Sequence, residues 1–501
     1  MTSHYSKLLK RVNEIHDLQK AGQLMGWDRQ VIMPEAGDEI RIKQIATVRR
    51  LAHSMFTDDG FGELIENAAA ELDGADYDSD QASLVRYLRI TYEEERCLPP
   101  DFISRRAEIS GKAYRVWVKA REEDDFAAFS PWLEQIVDLG REMAEYYGYE
   151  DNIYDPLLNQ YERGAKTEQV RALFDATKEA TLPLLEAIAN SERKVSDDIL
   201  KQPYDVEKQK AFAHYIADAV GYDFDRGYLG TAVHPFASSF SRNDARITSR
   251  WYPDYLNPSL FGALHESGHA IYEQNTHPDL ARTPLARGTS SGIHESQSRM
   301  FENYVGRSRS FWKAHFPKLQ ETFPEKLQDV TVDDFYRAIN KVQPSFIRVE
   351  ADELTYNMHI ILRFELEQDL LNGDLAVDDL PAAWNDKMQT LLGVTPPTTR
   401  EGVLQDIHWT RPSFGYFPTY AMGNLYAAQF FAAAKEQSPA IAAELEAGKV
   451  NALLSWLREN IHQHGRKFKP DELVKRATGQ PLSHTAFVEY ATDKFGEIYD
   501  L

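Results

Sequence analysis

Two histidines four residues apart, His265 and His269, bracket Glu266 in the stretch LHESGHAIYE. On a helix, positions i and i+4 lie on one face with Cβ atoms about 5–6 Å apart. Two imidazoles so placed can share one ion at ~2.0–2.1 Å. Glu266 borders the same face. It is too close in sequence to join comfortably as a ligand, but well placed to take a proton from metal-activated water. Phe261, Leu264, Ile271 and Tyr272 make the flanks apolar, as a buried helix requires, and Gly268 leaves room for a close neighbour.

A catalytic site of this kind needs a third ligand and an open position. Glu273, eight residues after His265, is ~12 Å along the helix axis and out of reach. His277 precedes Pro278 at the helix end, an awkward position. A better source is a second helix crossing the first. GTSSGIHESQSRMFENYVG supplies one, with Ile293, Gln297, Met300 and Tyr304 on one face and His294, Glu295 and Glu302 as possible ligands. An ordinary pair between Glu295 and Arg299, one turn on, is the plainer reading of that glutamate. The upstream HExxH ranks metal binding above it.

The rest of the chain is what must position these groups. Its 501 residues suffice for a large core without disulfides. The apolar spacing is helical nearly everywhere: Leu8, Leu9, Val12, Ile15, Leu18 and Leu24 recur at three- and four-residue steps. Residues 242–253, RNDARITSRWYP, are the best candidate for a strand pair. LYAAQFFAAA is too short to span a membrane and reads as a buried helix. Pro- and Gly-rich punctuation is local, and neither a repeat nor a long linker divides the chain. The expected fold is all-α, mostly helical with a small β element near the active site. It is one large body, residues 1–501, in which a ligand cleft between helices is expected.

A net charge of −22 makes nucleic acid and anionic membranes poor partners, though an internal cleft of the opposite sign is compatible with it. The single cysteine, Cys97, excludes an intrachain disulfide and a cysteine-based metal site. With no apolar leader at the N-terminus, the expectation is a soluble, cytoplasmic protein.

Six motifs occur in order: HPF at His234–Phe236, DARIT at Asp244–Thr248, HESGH at His265–His269, HESQ at His294–Gln297, IRVEAD at Ile347–Asp352 and GVLQDIHW at Gly402–Trp409. Together with GWDRQVIMPEAG and FGYFPTYAMGNLYAAQ, they resemble the Thermus-type thermostable metallocarboxypeptidase family along most of the chain. The resemblance implies a mostly helical fold with a long, deep central substrate groove, a homodimer, His265, His269 and Glu295 as metal ligands, and Glu266 as general base. It implies release of single residues from peptides with a free C-terminus, with broad side-chain tolerance and poor cleavage near proline. Thr410-Arg411-Pro412 departs from the glycine-like turn expected after Trp409 and leaves the role of Arg411 open.

Two imidazoles and a carboxylate suit Zn²⁺, with Co²⁺ also compatible, one ion per chain. By resemblance to related helical metallopeptidases, His408 and Tyr420 are candidates to stabilise the oxyanion, with Tyr416 as rival to Tyr420. An exopeptidase must also hold the terminal carboxylate, which a guanidinium grips in bidentate fashion. Arg348 is the choice, favoured by its motif over a plain pair with Asp352. Arg246 and Arg411 are reserve cations, and His234 is expected to shape the groove. An oligopeptidase with the same machinery, and a catalytically silent binding protein, are the competing readings. The intact Glu266 speaks against the second.

Overall fold

Ser3 caps the first helix, His4–Val31, by accepting from the Ser6 N–H. Leu8, Val12 and Ile15 of that helix are buried as the spacing requires, whereas Leu24 faces solvent. The structure, a computed structural model, describes residues 3–501 and is 69% helical. Six long helices run from His4 to Tyr147. The first four of them gather Leu8, Phe56, Phe61, Ile65, Leu84 and Leu88 into a small core of their own. Leu280 and Leu285, from the loop following the HExxH helix, complete this cluster. That loop therefore ties the N-terminal helices to the site. The main core takes the remaining helices.

A three-stranded sheet lies between these parts of the chain: β1 (Leu229–Thr231), β2 (Ala237–Ser241) and β3 (Asp244–Ser249), in the order β1-β3-β2. β1 pairs parallel with β3, and β2 antiparallel with it, through a bulge between Ser239 and Ser241. The expected strand pair in residues 242–253 is thus one strand, β3. Its hairpin partner lies upstream, because Arg242 and Asn243 form the turn itself. Ile247 and Ala245 are buried, and Arg246 points the other way.

The sheet packs on the helix Asn257–Gln274, which carries HExxH. Pro258 in its first turn supplies a preset φ where no N–H is needed. Thirteen of its eighteen residues are buried, as expected of a helix enclosed on all sides. The second helix, Ser291–Arg299, is capped by Ser290 and continues as a π-helical stretch, Met300–Val305. A third, Pro418–Gln437, is buried along most of its length, as its apolar run suggested. No helix among the described residues is long and apolar enough to cross a membrane.

Candidate metal centre

Glycine sets how closely these three helices approach. A Cβ on Gly268 would stand 2.4 Å from the carbonyl oxygen of Gln297 and 2.7 Å from the Cα of Ser298. A Cβ on Gly423 would stand 2.6 Å from Cγ of Glu295. The helix bearing Glu295 is therefore clasped between the HExxH helix and the Pro418–Gln437 helix, with contact only a hydrogen side chain allows. The room left by Gly268 is filled by the backbone two and three residues after Glu295.

That clasp brings Glu295 to the histidines. Its Oε2 lies 3.7 Å from Nε2 of His265 and 3.4 Å from Nε2 of His269. The donor atoms of all three fall within 4.8 Å of one another. Tetrahedral bonds of ~2.0–2.1 Å give ligand–ligand edges of about 3.4 Å, so the spacing fits one ion. The Arg299 alternative is also realised: Arg299 Nε donates to Oε1 at 2.8 Å. One carboxylate oxygen is thus held by the guanidinium while the other faces the histidines. The Glu295 carboxyl is held well below its usual range, burial being outweighed by Arg299 and the two imidazoles.

Each histidine is oriented through its other nitrogen. His265 Nδ1 lies 2.9 Å from Oε2 of Glu302, a residue inside the π-helical stretch. Arg299 and Arg307 hold the Glu302 carboxylate, whose pKa falls to about 2 despite its burial. His269 Nδ1 lies 2.6 Å from Nδ1 of His294, and His294 Nε2 lies 2.9 Å from Oε1 of Glu273. One consistent tautomer set runs through this chain: His269 donates to His294, and His294 donates to Glu273. Both Nε2 lone pairs are then free for an ion, as such carboxylate–histidine supports provide. Glu273, excluded as a ligand by distance, instead supports His269 through His294. His277 is exposed at a turn.

Glu266 is buried, 6% exposed, and its carboxyl is pushed up to about 7. Burial is the largest cause, and the Glu295 and Glu302 carboxylates add to it.

Arg348 lies in a short 3₁₀ turn, 6% exposed. Its Nε and Nη2 donate to Oδ1 of Asp406 at 3.1 and 2.9 Å, and its Nη1 donates to the Tyr356 hydroxyl at 3.0 Å. Asp352, the partner suggested by spacing, instead accepts the N–H groups of Gln343, Leu354 and Thr355. Asp406 is shared with the fully buried Arg363, whose Nε donates to Oδ2 at 2.7 Å. One N–H remains uncommitted on each terminal nitrogen of Arg348. Gln405 accepts the Arg348 N–H and does not reach His408.

His408 is neutral, its pKa driven down to about 3 chiefly by burial. Its ring stacks on Tyr416 at 5.5 Å, and its Nε2 lies 3.5 Å from the Tyr420 hydroxyl. Tyr420 is one turn before Gly423, the residue against Glu295, and therefore faces the same side. Tyr416 stands between Tyr420 and Tyr161, with ring centroids at 5.2 and 5.1 Å. Arg411 is exposed just after this group. Two of the expected residues lie outside the cluster. Arg246 is paired bidentately with Asp244 at 2.7 and 2.9 Å and covers the Trp27 ring at 4.4 Å. His234 is exposed in the β1–β2 loop.

A family model for carboxypeptidase Taq (M32) metallopeptidases matches residues 7–495. The chain is 40% identical to thermostable carboxypeptidase 1 of Thermus thermophilus, covering 99% of each chain. It is 39% identical to carboxypeptidase 1 of Bacillus subtilis, over 98% of this chain and 97% of that one. The crystal structure of the M32 carboxypeptidase from Deinococcus radiodurans R1 superposes with a TM-score of 0.96 at 38% identity, covering 99% of this chain and 100% of that one.

Proposed function

The chain belongs to the carboxypeptidase Taq (M32) metallopeptidase family, and on that premise we propose that it removes single residues from peptides with a free C-terminus. The observation that carries the reading is the convergence of His265 Nε2, His269 Nε2 and Glu295 Oε2 beside the buried Glu266. The ligand set suits one Zn²⁺ per chain, with Co²⁺ compatible. When bound there, the ion supplies Lewis acidity for the scissile carbonyl and acidifies the attacking water.

The chain's own groups do the rest. Glu266, buried beside the ligand face, takes the water proton and passes it to the leaving amine. Tyr420 and His408 donate to the oxygen that becomes negative in the tetrahedral state. Tyr416 borders them and shapes the pocket. Arg348, pinned by Asp406 and Tyr356, offers its two remaining N–H groups to the terminal carboxylate. Arg246 and His234 belong to the groove wall near the sheet. Broad side-chain tolerance, poor activity at proline, a homodimer and a cytoplasmic location complete the reading, the dimer and the specificity on family resemblance alone.

Metal analysis of the purified protein and of its Glu266→Gln variant tests this. Both are expected to hold one ion per chain, with hydrolysis lost only in the variant. A protein without metal that stays inactive after addition of Zn²⁺ or Co²⁺ would sink the enzyme reading. Matched peptides with free and amidated C-termini test the anchor: equal rates on both would remove Arg348 from its role.

A further inference from the structure

The acidic protein carries a group of cations beside its metal centre. Arg287 is exposed to solvent, and no side-chain hydrogen bond or ion pair engages it among the described residues. Its neighbour Gly288 donates its N–H to Oε1 of Glu273 at 3.3 Å and packs against His294. Arg466 donates through Nε to the Gly288 carbonyl at 2.8 Å and through Nη1 to the Tyr87 hydroxyl at 2.9 Å. Both acceptors are neutral, so its charge is unbalanced there. Lys20, from the N-terminal helix, donates to the Ser239 carbonyl at 2.7 Å, again a neutral acceptor.

The segments of Arg287 and Arg466 are held back to back, and the helix of Lys20 is tied to the same loop where Arg282 Nε donates to Oδ1 of Asp17 at 3.1 Å. The Arg466 N–H donates to the Leu285 carbonyl at 3.0 Å, and Thr289 Oγ1 donates to the Gly465 carbonyl at 2.6 Å. Arg466 also lines a cavity of about 130 Å³ with Arg86, Tyr87, Arg163, Lys469 and one carboxylate, Glu472. Electrostatics agrees with the placement. Arg466 is the largest influence on Arg287 and depresses its pKa. Burial, and then the two arginines against the pull of Glu273, bring Lys20 down to about 8. Glu273 is the carboxylate that acts on both Arg287 and Lys20, and its bonds go to His294 and Gly288.

The position of the group along the site is fixed by its neighbours. Arg348 donates to the hydroxyl of Tyr356, whose ring lies under the Arg299 guanidinium at 4.2 Å, and Arg299 reaches Glu302, the support of His265. Arg287 adjoins Gly288, Glu273 and His294, the support of His269. The two arginines therefore flank the metal centre from opposite ends of the HExxH motif. With the terminal carboxylate at Arg348, the peptide upstream of the scissile bond runs toward Arg287.

We propose that Arg287, Arg466 and Lys20 form a subsite for an acidic side chain on the amino-terminal side of the scissile bond, so that the preferred substrates are acidic peptides. The assignment rests on the carboxypeptidase reading for the direction of the peptide, while the cation group is a feature of the chain itself.

The test uses N-acetylated peptides of equal length and identical C-terminal residue, carrying Glu or its isostere Gln at successive upstream positions. At one of them the Glu peptide is expected to show about fivefold to tenfold higher kcat/KM, the scale of one partly screened ion pair. The preference should shrink with added salt. In Arg287→Gln the Glu/Gln ratio is expected to fall toward one, and in Arg287→Glu a Lys peptide should overtake the Glu peptide. Calorimetric binding of the same peptides to Zn²⁺-loaded Glu266→Gln protein separates this subsite from catalysis. A Glu preference in binding without cleavage by the parent protein supports the subsite and removes the hydrolase reading. Cleavage and binding without any Glu preference, or a ratio unchanged in both Arg287→Gln and Arg466→Gln, overturns the subsite.

Discussion

The Nδ1 of His269 lies 2.6 Å from the Nδ1 of His294, and His294 passes the contact on to Glu273. A histidine that precedes one candidate ligand by one residue thus holds another candidate from behind. Removing such a support typically costs about 10–100-fold in metal affinity. His294→Phe and Glu273→Gln are both expected to weaken Zn²⁺ binding on that scale, measured by competition with a chelator. Unchanged affinity in both variants would show that His269 is oriented without them.

Gly268→Ala places a methyl 2.4 Å from the Gln297 carbonyl oxygen, a backbone atom that cannot swing aside. The two helices must part, at a cost of about 1–3 kcal/mol or more. The expected result is a lower melting temperature together with lower metal occupancy, since Glu295 rides on the displaced helix. Gly423→Ala should act alike from the other flank.

Asp406→Asn leaves the fully buried Arg363 guanidinium without a carboxylate, and Arg348 beside it. Breaking a buried pair from one side costs about 3–5 kcal/mol. Denaturant titration is expected to show a loss of this size. A loss under about 1 kcal/mol would mean that the Arg348–Asp406–Arg363 group is not holding that part of the fold.

Glu162 is buried where it accepts from Tyr426 and the Gly292 N–H, and its carboxyl is pushed up to about 7 from 4.5, chiefly by burial. The folded chain then holds this proton more tightly than the unfolded chain. Stability from the group is full below about pH 4.5 and is lost as pH rises through 7. Glu367, also raised to about 7 by burial, works in the same direction. Glu162→Gln is expected to flatten the decline in melting temperature between pH 5 and pH 8, the variant gaining on the order of 2–3 kcal/mol at the upper end. Parallel profiles for variant and parent would refute it.

Much of the site was legible because helical periodicity converts spacing into direction. It placed His265 and His269 on one face, excluded Glu273 from their ion, and marked Gly268 as a place of close approach. Periodicity is silent on contacts between elements far apart in the chain. It offered Asp352 as the partner of Arg348, whereas the carboxylate that holds it is Asp406, from another segment. It gave no hint that Glu273 would return to the site through His294. The π-helical stretch that carries Glu302 breaks the 3.6-residue period from which faces are read. The helical fold was readable for the same local reason. The separate core of the N-terminal helices was not, since two of its residues, Leu280 and Leu285, arrive from a loop.

The clasp around Glu295 also bears on the order in which the molecule assembles. By the time Glu295 leaves the ribosome, both histidines and Glu266 have already been made, and Gly268 can receive the helix from one side. The opposing surface, Gly423 on Pro418–Gln437, is synthesised far later. A nascent chain therefore carries the candidate ligand side chains long before it can hold them still, and a competent centre is a late product of synthesis. On the proposed assignment, peptide-bond cleavage waits until nearly the whole polypeptide has emerged.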